Sequence, residues 1–299
     1  MPQLFSRRQT FFTNLLGLTD NSAMSIPTHT SQTLAFIGGG NMASAIIGGL
    51  VKQGTPANQI LVVEPFEETR QRLISQWGVR ALAQADAALK EAGLVIWAVK
   101  PQTFKDATHS TAAFCQEALH LSVAAGIRSS SISHWLGTER VVRAMPNTPA
   151  LVGLGQTGLF ARSAVTPADK QWVERVVATT GALLWVDDEA LLDAVTAISG
   201  SGPAYVFFFI EAMVEAGVKM GLSADQATQL AIGTFTGASQ LALSASEPPS
   251  VLRERVTSKG GTTYAALTAM QNARVSELFQ AALQAARQRA HELGDEFGA

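Results

Sequence analysis

Short apolar runs alternate with stretches of helical periodicity from Leu34 onward. This alternation is typical of a parallel sheet with crossover helices, and it favours an α/β, Rossmann-like doubly wound fold. The runs predict strands at 34–37, 60–63, 79–81, 94–99, 119–124, 141–144, 157–161 and 183–186. The stretches between them predict helices at 42–53, 67–77, 84–92 and 103–118. A further helix start is indicated by Thr166, Pro167 and Asp169.

The strand signal stops after Asp187, and the remaining sequence is helical throughout. The expected helices are 189–198, 203–220, 223–244, 250–256, 262–270 and 274–293. Several are apolar on more than one face, as in 206–210, and one helical layer of this size cannot bury that surface alone. We therefore predict a dinucleotide-binding domain at 34–187 and an all-helical dimerisation domain at 188–299.

Composition narrows the possible functions. The 299 residues are 47% hydrophobic and 15% charged, with a formal net charge of −2, so nucleic acid is not an expected partner. The single cysteine, Cys115, excludes an intrachain disulfide framework. The five histidines are scattered along the sequence, so no metal site is predicted. The charge-free stretch 194–210 is interrupted by Ser199–Pro203 and is interpreted as a buried core element, not a membrane span. A cytoplasmic protein is expected.

The first 33 residues differ from the rest. Arg7 and Arg8 precede a short apolar patch, and no acid occurs before Asp20. A cleavable organelle transit peptide would look like this, and the protein would then lie in an organellar matrix. Met24 offers the alternative of a later start codon, which we favour. The segment 1–33 is expected to be disordered or not translated.

A glycine fingerprint follows the first predicted strand. Gly38, Gly40 and Ala43 match G-x-G-x-x-A between a strand and a helix, where the first glycine permits a tight turn and the second lets a pyrophosphate approach the backbone. Glu64 ends the second strand, at the position that contacts the adenosine ribose. An ordinary glycine-rich turn is the alternative, but the strand-turn-helix context favours a dinucleotide cofactor.

Two segments of the helical part look unusual for packing alone. Ser199–Pro203 and Ser258–Thr263 each place glycines and hydroxyls ahead of an expected helix start. Ordinary helix capping explains such residues. Two such starts in one domain also suit an anion site, and a small carboxylate is the expected ligand. Lys100, after the fourth strand, is either a cofactor-facing cation or a solvated strand end.

Six motifs in this order resemble the pyrroline-5-carboxylate reductase family. They are FIGGGNMA (36–43), AVKPQ (98–102), AAG (124–126), RAMPNTPA (143–150), SGSGPAY (199–205) and TSKGGTT (257–263). The resemblance implies a Rossmann domain followed by a helical domain that interlocks with its twin, with dimers sometimes forming decamers. It also implies hydride transfer from NADPH or NADH to the C=N carbon of 1-pyrroline-5-carboxylate, which yields proline.

The resemblance assigns site residues by motif. The implied cofactor-binding residues are Ile37, Gly38, Gly40, Asn41, Met42, Glu64, Ala98, Val99, Lys100, Pro101, Ala124, Ala125, Gly126 and Asn147. The implied substrate-binding residues are Glu189, Ser258, Gly261, Thr262 and Thr263. Thr263 is the candidate catalytic residue, because no acid-base side chain occurs in the substrate motifs and its hydroxyl can polarise the imine.

The chain departs from the family pattern at two places. Lys259 stands where a proline is usual, which adds a cation to the carboxylate loop. Glu64, followed by Pro65, stands at the ribose position, where a carboxylate disfavours a 2′-phosphate. NADH is therefore expected to serve at least as well as NADPH, unless Glu64 turns away and Arg70 or Arg72 meets the phosphate instead.

Two other functions remain open at this point. An enzyme of the β-hydroxyacid dehydrogenase type would reduce a C=O and need a lysine on the interdomain helix as proton donor. Lys219 is the available lysine, although the expected partner pattern is missing. A dinucleotide-sensing protein without turnover is the third hypothesis, and it predicts a degraded substrate loop, whereas TSKGGTT is intact.

Overall fold

The computed structural model describes residues 33–298 of the chain. The expectation for the N-terminal extension therefore falls on residues 1–32, which lie outside the described part. Thr33 was assigned to that extension, but it is the first residue of strand β1. The strand starts one residue early because Thr33 pairs with Ala92 of the neighbouring strand.

Eight strands form one sheet, in the order β3-β2-β1-β4-β5-β6-β7-β8. Every neighbouring pair is parallel except β6 and β7. Strand β1 pairs with both β2 and β4. The strand order therefore changes direction between β1 and β4, and doubly wound sheets bind ligands at such a switch point. The strands are β1 (Thr33–Ile37), β2 (Ile60–Val63), β3 (Arg80–Leu82), β4 (Ala92–Trp97), β5 (Leu119–Ser122), β6 (Val141–Met145), β7 (Gly155–Ala161) and β8 (Gly181–Trp185).

Helices cover the sheet and then form the remainder of the chain. Those between strands are α1 (Asn41–Lys52), α2 (Glu67–Trp77), α3 (Pro101–Thr111), α4 (Ser129–Leu136) and α5 (Pro167–Val177). Those after the sheet are α6 (Leu191–Val195), α7 (Gly202–Lys219), α8 (Ala224–Ser244), α9 (Pro249–Arg255), α10 (Thr262–Asn272) and α11 (Val275–Phe297). The predicted α/β fold class is confirmed: a Rossmann-like sheet precedes a helical part.

The core lies on both faces of the sheet because side chains alternate along each strand. Leu34 and Phe36 belong to the apolar cluster on one face, while Ala35 and Ile37 belong to the cluster on the other. All of β1 is buried, as expected for a central parallel strand covered by helices on both faces.

Several local predictions were wrong. The helix expected at 84–92 is only a short 3₁₀ turn, Ala87–Glu91, because Asp86 caps it and β4 begins at once. Helix α3 ends at Thr111 and is followed by a 3₁₀ turn instead of continuing to residue 118. Helix α4 was not predicted, since its serine-rich sequence carries a weak helical pattern.

The described chain forms two compact units. One comprises residues 33–201 together with 286–298, and the other comprises residues 202–285. Helix α11 begins in the second unit and ends in the first. The sequence boundary after Asp187 stays a prediction about domain organisation, while the segment 188–201 packs with the sheet, where Leu192 and Val195 lie against Gly158.

The C-terminal turn of α11 is attached to the loop after β5. Arg128 and Asp295 form an ion pair at 2.6 Å. The Ser131 hydroxyl donates a hydrogen bond of 2.8 Å to the carbonyl of Gly298. A Cβ at Gly126 would lie 3.0 Å from Cβ of Leu293, so the two segments are in close contact.

The helical unit leaves large apolar side chains exposed in a single chain. In α7, Phe207 is 59% and Phe208 is 66% exposed, so the expectation of a buried core element at 194–210 was wrong for this part. The continuous helical stretch Leu191–Lys219 is long and apolar enough to cross a membrane, the one such stretch among residues 33–298. An apolar helix of this kind also suits a subunit interface, and length and hydropathy do not distinguish the two.

Candidate active site

The turn after β1 is built around Gly38. This residue has a φ of +96°, a conformation that side chains other than glycine rarely adopt. A Cβ there would lie 2.6 Å from the carbonyl oxygen of Ala98. The Gly38 N–H donates to Val63 O and the Ala98 N–H donates to Ile37 O, both at 2.8 Å, so the turn sits between the ends of β2 and β4.

Gly40 provides an open approach to the first helix. It is the N-cap of α1 and no side chain caps that helix, so the first-turn N–H groups have no capping partner. A Cβ at Gly40 would meet no atom within 4 Å, whereas Ala43 is fully buried against the sheet. Asn41 is exposed and Met42 is partly buried at this mouth. Unpaired N–H groups beside open space fit a dinucleotide pyrophosphate.

The side chain of Glu64 is buried beside the glycine turn and is 6% exposed as a residue. Its carboxylate accepts one hydrogen bond from the Gly39 N–H at 2.7 Å and another from the Phe66 N–H at 3.0 Å. Arg70 donates to the carbonyls of Glu64 and Pro65, and Arg72 donates to the carbonyl of Gly39. Glu64 and Arg72 therefore contact the glycine turn, while Arg70 holds the backbone at the end of β2.

Sequence reasoning missed Gly39 because the fingerprint leaves this position free. A Cβ at Gly39 would lie 2.7 Å from Leu73 and 3.3 Å from Cγ of Glu64. Glycine therefore lets the side chains of Leu73 and Glu64 pack close to this turn. A third consecutive glycine beside an acidic residue at the ribose position was the available signal.

The other predicted cofactor residues lie at the carboxyl ends of β4 and β5. Ala98 and Val99 are partly buried directly after β4, Lys100 is the exposed N-cap of α3, and Pro101 is its first residue. In the loop after β5, Ala124 and Gly126 are buried and Ala125 is partly buried. These loops and the glycine turn therefore share the edge of the sheet at which a dinucleotide is expected.

Asn147 follows β6 at the same edge and is 7% exposed. Its Oδ1 accepts a hydrogen bond of 2.9 Å from the Gln156 N–H. Its Nδ2 lies 3.2 Å from the carbonyl oxygen of Ser199 and 3.1 Å from the Ser199 hydroxyl. The protein itself thus engages both ends of this amide, and the ribose contact stays a prediction.

The Ser199–Pro203 segment is not a fresh helix start, which corrects the expectation from sequence. A π-type turn, Thr196–Gly200, connects α6 to α7. The Ser201 N–H donates to the carbonyl of Thr196 at 2.8 Å, five residues earlier, and is therefore not free for an anion. Single π-turns inside helices are frequent at functional sites.

Glu189 is held by protein groups. Its carboxylate accepts hydrogen bonds from the backbone N–H of Ser129 at 2.6 Å and from the Ser129 hydroxyl. Arg143, which is 4% exposed, forms an ion pair with the same carboxylate at 3.1 Å. These contacts tie β6 to the start of α4. They favour a structural role for Glu189, and its substrate contact stays a prediction.

The predicted substrate loop lies in the helical unit, ahead of α10. Gly261 is the N-cap of that helix and no side chain caps it. Thr262 and Thr263 occupy the first turn, where Thr262 is exposed and Thr263 partly buried, while Ser258 is exposed. The capping role that sequence allowed for these hydroxyls is therefore not used, and the N-terminus of α10 presents unpaired N–H groups, which favour a carboxylate.

Lys219 does not support the β-hydroxyacid dehydrogenase hypothesis. It is the last residue of α7, and the 18 residues of that helix span about 27 Å from its first residue, Gly202. The lysine is exposed and lies at the opposite end of α7 from the turn at 199–202. Among residues 33–298, no group of three or more His, Cys, Asp or Glu is placed to hold a metal ion.

The open turn from Gly38 to Gly40 is called the glycine cradle below. Together with the fold, it defines a two-part oxidoreductase of the dinucleotide-binding class. Residues 33–126 match the family described as NADP oxidoreductase coenzyme F420-dependent. Residues 189–293 match the family described as pyrroline-5-carboxylate reductase dimerisation.

Whole-chain comparisons identify the family. The chain is 45% identical to pyrroline-5-carboxylate reductase of Pseudomonas aeruginosa over 271 residues, which cover 90% of this chain and 99% of the relative. The structure of a pyrroline-5-carboxylate reductase from Coxiella burnetii superposes with a TM-score of 0.83 at 37% identity, covering 88% and 98% of the two chains. The Plasmodium falciparum enzyme with NADP bound gives 0.78 at 26% identity, covering 89% and 99%. The chain belongs to the pyrroline-5-carboxylate reductase family.

Proposed function

We propose that the protein reduces 1-pyrroline-5-carboxylate to L-proline with NADPH or NADH, the last step of proline biosynthesis. The observation that carries the proposal is the uncapped N-terminus of α10, where Gly261, Thr262 and Thr263 follow Ser258 in an intact carboxylate loop. The open glycine cradle at α1 supports the cofactor assignment independently. Because the chain belongs to the pyrroline-5-carboxylate reductase family, the cofactor cradle and the carboxylate loop together favour 1-pyrroline-5-carboxylate as the substrate.

The residues divide into two sets of tasks. The backbone from Ile37 to Met42 binds the pyrophosphate, Glu64 faces the adenosine ribose, and the loops 98–101 and 124–126 border the nicotinamide side. When bound, NAD(P)H supplies a hydride for the C=N carbon, and the ring nitrogen takes a proton. The family resemblance implies a place near the nicotinamide ribose for Asn147, although protein groups already engage both ends of its amide.

The substrate is held by the helical unit. The N–H groups at the start of α10 and the hydroxyl of Ser258 bind the carboxylate. The hydroxyl of Thr263 hydrogen-bonds the ring nitrogen and thereby orients the imine. Lys259 is exposed and adds a positive charge to this loop. The family resemblance also implies a substrate contact for Glu189, whose carboxylate is bound by Ser129 and Arg143.

The test is the oxidation of NADH and of NADPH by the purified protein, followed at 340 nm with 1-pyrroline-5-carboxylate, and proline is identified as the product. We expect turnover that depends on the imine. A small 3-oxo acid, which a β-hydroxyacid dehydrogenase would reduce at its C=O, serves as the control substrate for that hypothesis. Cofactor binding without turnover of any of these compounds would contradict the proposal and would favour a sensor protein.

We further propose a cytoplasmic homo-oligomer, a dimer or a decamer assembled from dimers, with no membrane or nucleic-acid partner. The exposed apolar side chains of α7, among them Phe207 and Phe208, supply the surface that a second copy covers. Light scattering at sub-micromolar concentration tests the assembly. Phe208→Glu is expected to yield monomers with little activity, and a fully active wild-type monomer would contradict the proposal.

A further inference from the structure

The carbonyl of Ser199 lacks its α-helical hydrogen-bond donor. In an α-helix, the carbonyl of each residue accepts the N–H of the residue four positions later. The residue four positions after Ser199 is Pro203, which has no N–H. Ser199 is partly buried, and a carbonyl shielded from water without a partner is costly, so a donor from outside the helix stabilises this turn.

Asn147 provides that donor. Its Nδ2 lies 3.2 Å from the Ser199 carbonyl and 3.1 Å from the Ser199 hydroxyl. Its Oδ1 is fixed by the Gln156 N–H at 2.9 Å, which sets the orientation of the amide. The Ser199 hydroxyl in turn donates to the Gln156 carbonyl at 3.4 Å. The amide of a buried residue therefore joins β7, the end of β6 and the π-type turn.

The turn that Asn147 holds lies directly on the carboxyl end of β6. A Cβ at Gly200 would be 2.5 Å from Cε of Met145, the last residue of that strand. The same edge of the sheet carries the loops that border the cofactor. A small shift of the turn would therefore displace groups at the reacting end of the crevice, where geometry limits the rate.

We propose that Asn147 is a positioning residue for the reduction. Its amide replaces the N–H that Pro203 lacks and holds the Ser199–Gly200 turn against the end of β6. This role rests on the proposed function only for its effect on turnover. It differs from a ribose contact, which would act on cofactor affinity.

The experiment compares Asn147→Ala, Asn147→Asp and Pro203→Ala with the double variant Asn147→Ala/Pro203→Ala. Asparagine to aspartate keeps the acceptor for Gln156 but places an oxygen opposite the Ser199 carbonyl. We expect both Asn147 variants to lower kcat at least ten-fold, with the Kd for NADH, measured by fluorescence, changed less than three-fold. Pro203→Ala restores a backbone donor. In that background, the factor by which Asn147→Ala lowers kcat should be at most one third of the factor measured with Pro203 present.

Three results would overturn the proposal. One is a rise in the Kd for NADH that accounts for the whole loss of activity, as a ribose contact predicts. Another is a loss of stability without a change in kcat per folded active site. The third is an equal cost of Asn147→Ala in both backgrounds. If the alanine variant does not fold, Asn147→Asp answers the first two questions.

The proposed function and the positioning role can fail separately. The wild-type rate with 1-pyrroline-5-carboxylate is measured first, and its absence refutes the function. The shift of the urea midpoint caused by Asn147→Ala needs no substrate. We expect that shift to fall to less than half in the Pro203→Ala background, and an unchanged shift would refute the pairing of Asn147 with the orphaned carbonyl.

Discussion

The carboxylate of Glu64 accepts a hydrogen bond from the backbone N–H of Gly39 at 2.7 Å, across the turn between β1 and α1. The acidic side chain at the end of β2 therefore braces the glycine turn, at the position where the ribose contact is proposed. Any substitution of Glu64 changes two things at once, the local charge and the support of the turn.

The first prediction concerns cofactor preference. A carboxylate close to a 2′-phosphate costs on the order of 1 to 3 kcal/mol, so the wild type is expected to use NADH at least as well as NADPH. Glu64→Gln removes the charge and keeps an acceptor for the Gly39 N–H. It should raise the ratio of kcat/KM for NADPH to that for NADH by roughly 5- to 100-fold.

Glu67→Gln is the matched control, since it removes an exposed charge from the first turn of α2 without touching the glycine turn. It should leave the ratio within about two-fold, because exposed charges are well screened. A wild type that prefers NADPH ten-fold or more would contradict the prediction. Arg70 and Arg72 would then be the groups that meet the phosphate.

The second prediction concerns the hydroxyl of Thr263. Thr263→Ala should lower kcat/KM by roughly 10- to 1000-fold, as expected when an oriented hydrogen bond to the reacting group is lost. The affinity for NADH should change little. Because Gly261 is the N-cap of α10, stability should fall by less than the ~1 kcal/mol typical of a lost cap.

Two controls accompany Thr263→Ala. Thr263→Ser keeps the hydroxyl and should retain most of the activity. Thr268→Ala removes a hydroxyl that only donates to the carbonyl of Tyr264 further along the same helix, so it should leave kcat/KM unchanged. More than half of the wild-type kcat/KM in Thr263→Ala would assign the polarising role to water or to the substrate's own proton.

The third prediction concerns Gly126 and Gly137, which share nearly the same left-handed backbone, with φ of 70° and 69°. Alanine at either position costs roughly 1 to 2 kcal/mol of backbone strain. Only at Gly126 does the added Cβ also approach α11, at Leu293, while nothing lies within 4 Å at Gly137. Gly126→Ala should therefore lower the free energy of unfolding by about 1 kcal/mol more than Gly137→Ala.

The same pair of variants separates stability from cofactor binding. Gly126→Ala alone is expected to weaken NADH binding, because its loop is the one proposed to border the nicotinamide side. Chemical denaturation and fluorescence titration provide the two measurements. Equal effects of both variants on stability would show that α11 gives way at no cost.

The fourth prediction concerns His120, whose Nδ1 accepts a hydrogen bond from Trp97 Nε1 at 3.1 Å. Burial, with a smaller contribution from Arg140, lowers the pKa of His120 from 6.5 to about 4. Between these values the unfolded chain binds a proton that the folded protein does not. Stability is thus complete above pH 6.5 and falls as the pH drops toward 4, by about 3 kcal/mol in total.

His120→Gln removes this titration and keeps an acceptor for Trp97. Between pH 7 and pH 5 the wild type should lose about 2 kcal/mol more unfolding free energy than the variant, since other titrating groups act in both proteins. Urea denaturation at the two pH values measures the difference. Parallel losses in wild type and variant would refute the assignment.

The sheet was predictable because its information is local. Buried strands occur in the sequence as short apolar runs, and the spacing of Gly38, Gly40 and Ala43 is enough to predict the turn. The pairings that shape the site are not local. Nothing near Glu64 in sequence indicates that it accepts from Gly39, and nothing near Asn147 indicates Ser199 as its partner.

The helical part shows the same limit in another form. Glycines and a proline at 199–203 predicted a break, yet the helical path continues through a π-type turn because Ser201 bonds back to Thr196. The missing N–H of Pro203 is visible in sequence, but the residue that compensates for it is not. Likewise the exposure of Phe207 and Phe208 was expected only as an excess of apolar faces.

Helix α11 makes the cofactor-binding unit discontinuous along the chain. That unit includes residues 286–298, and Phe297 packs into its apolar cluster beside the loop after β5. During synthesis, the sheet emerges from the ribosome long before the segment that completes it. Part of the apolar surface of the nascent sheet unit therefore stays uncovered until the whole helical unit has been translated.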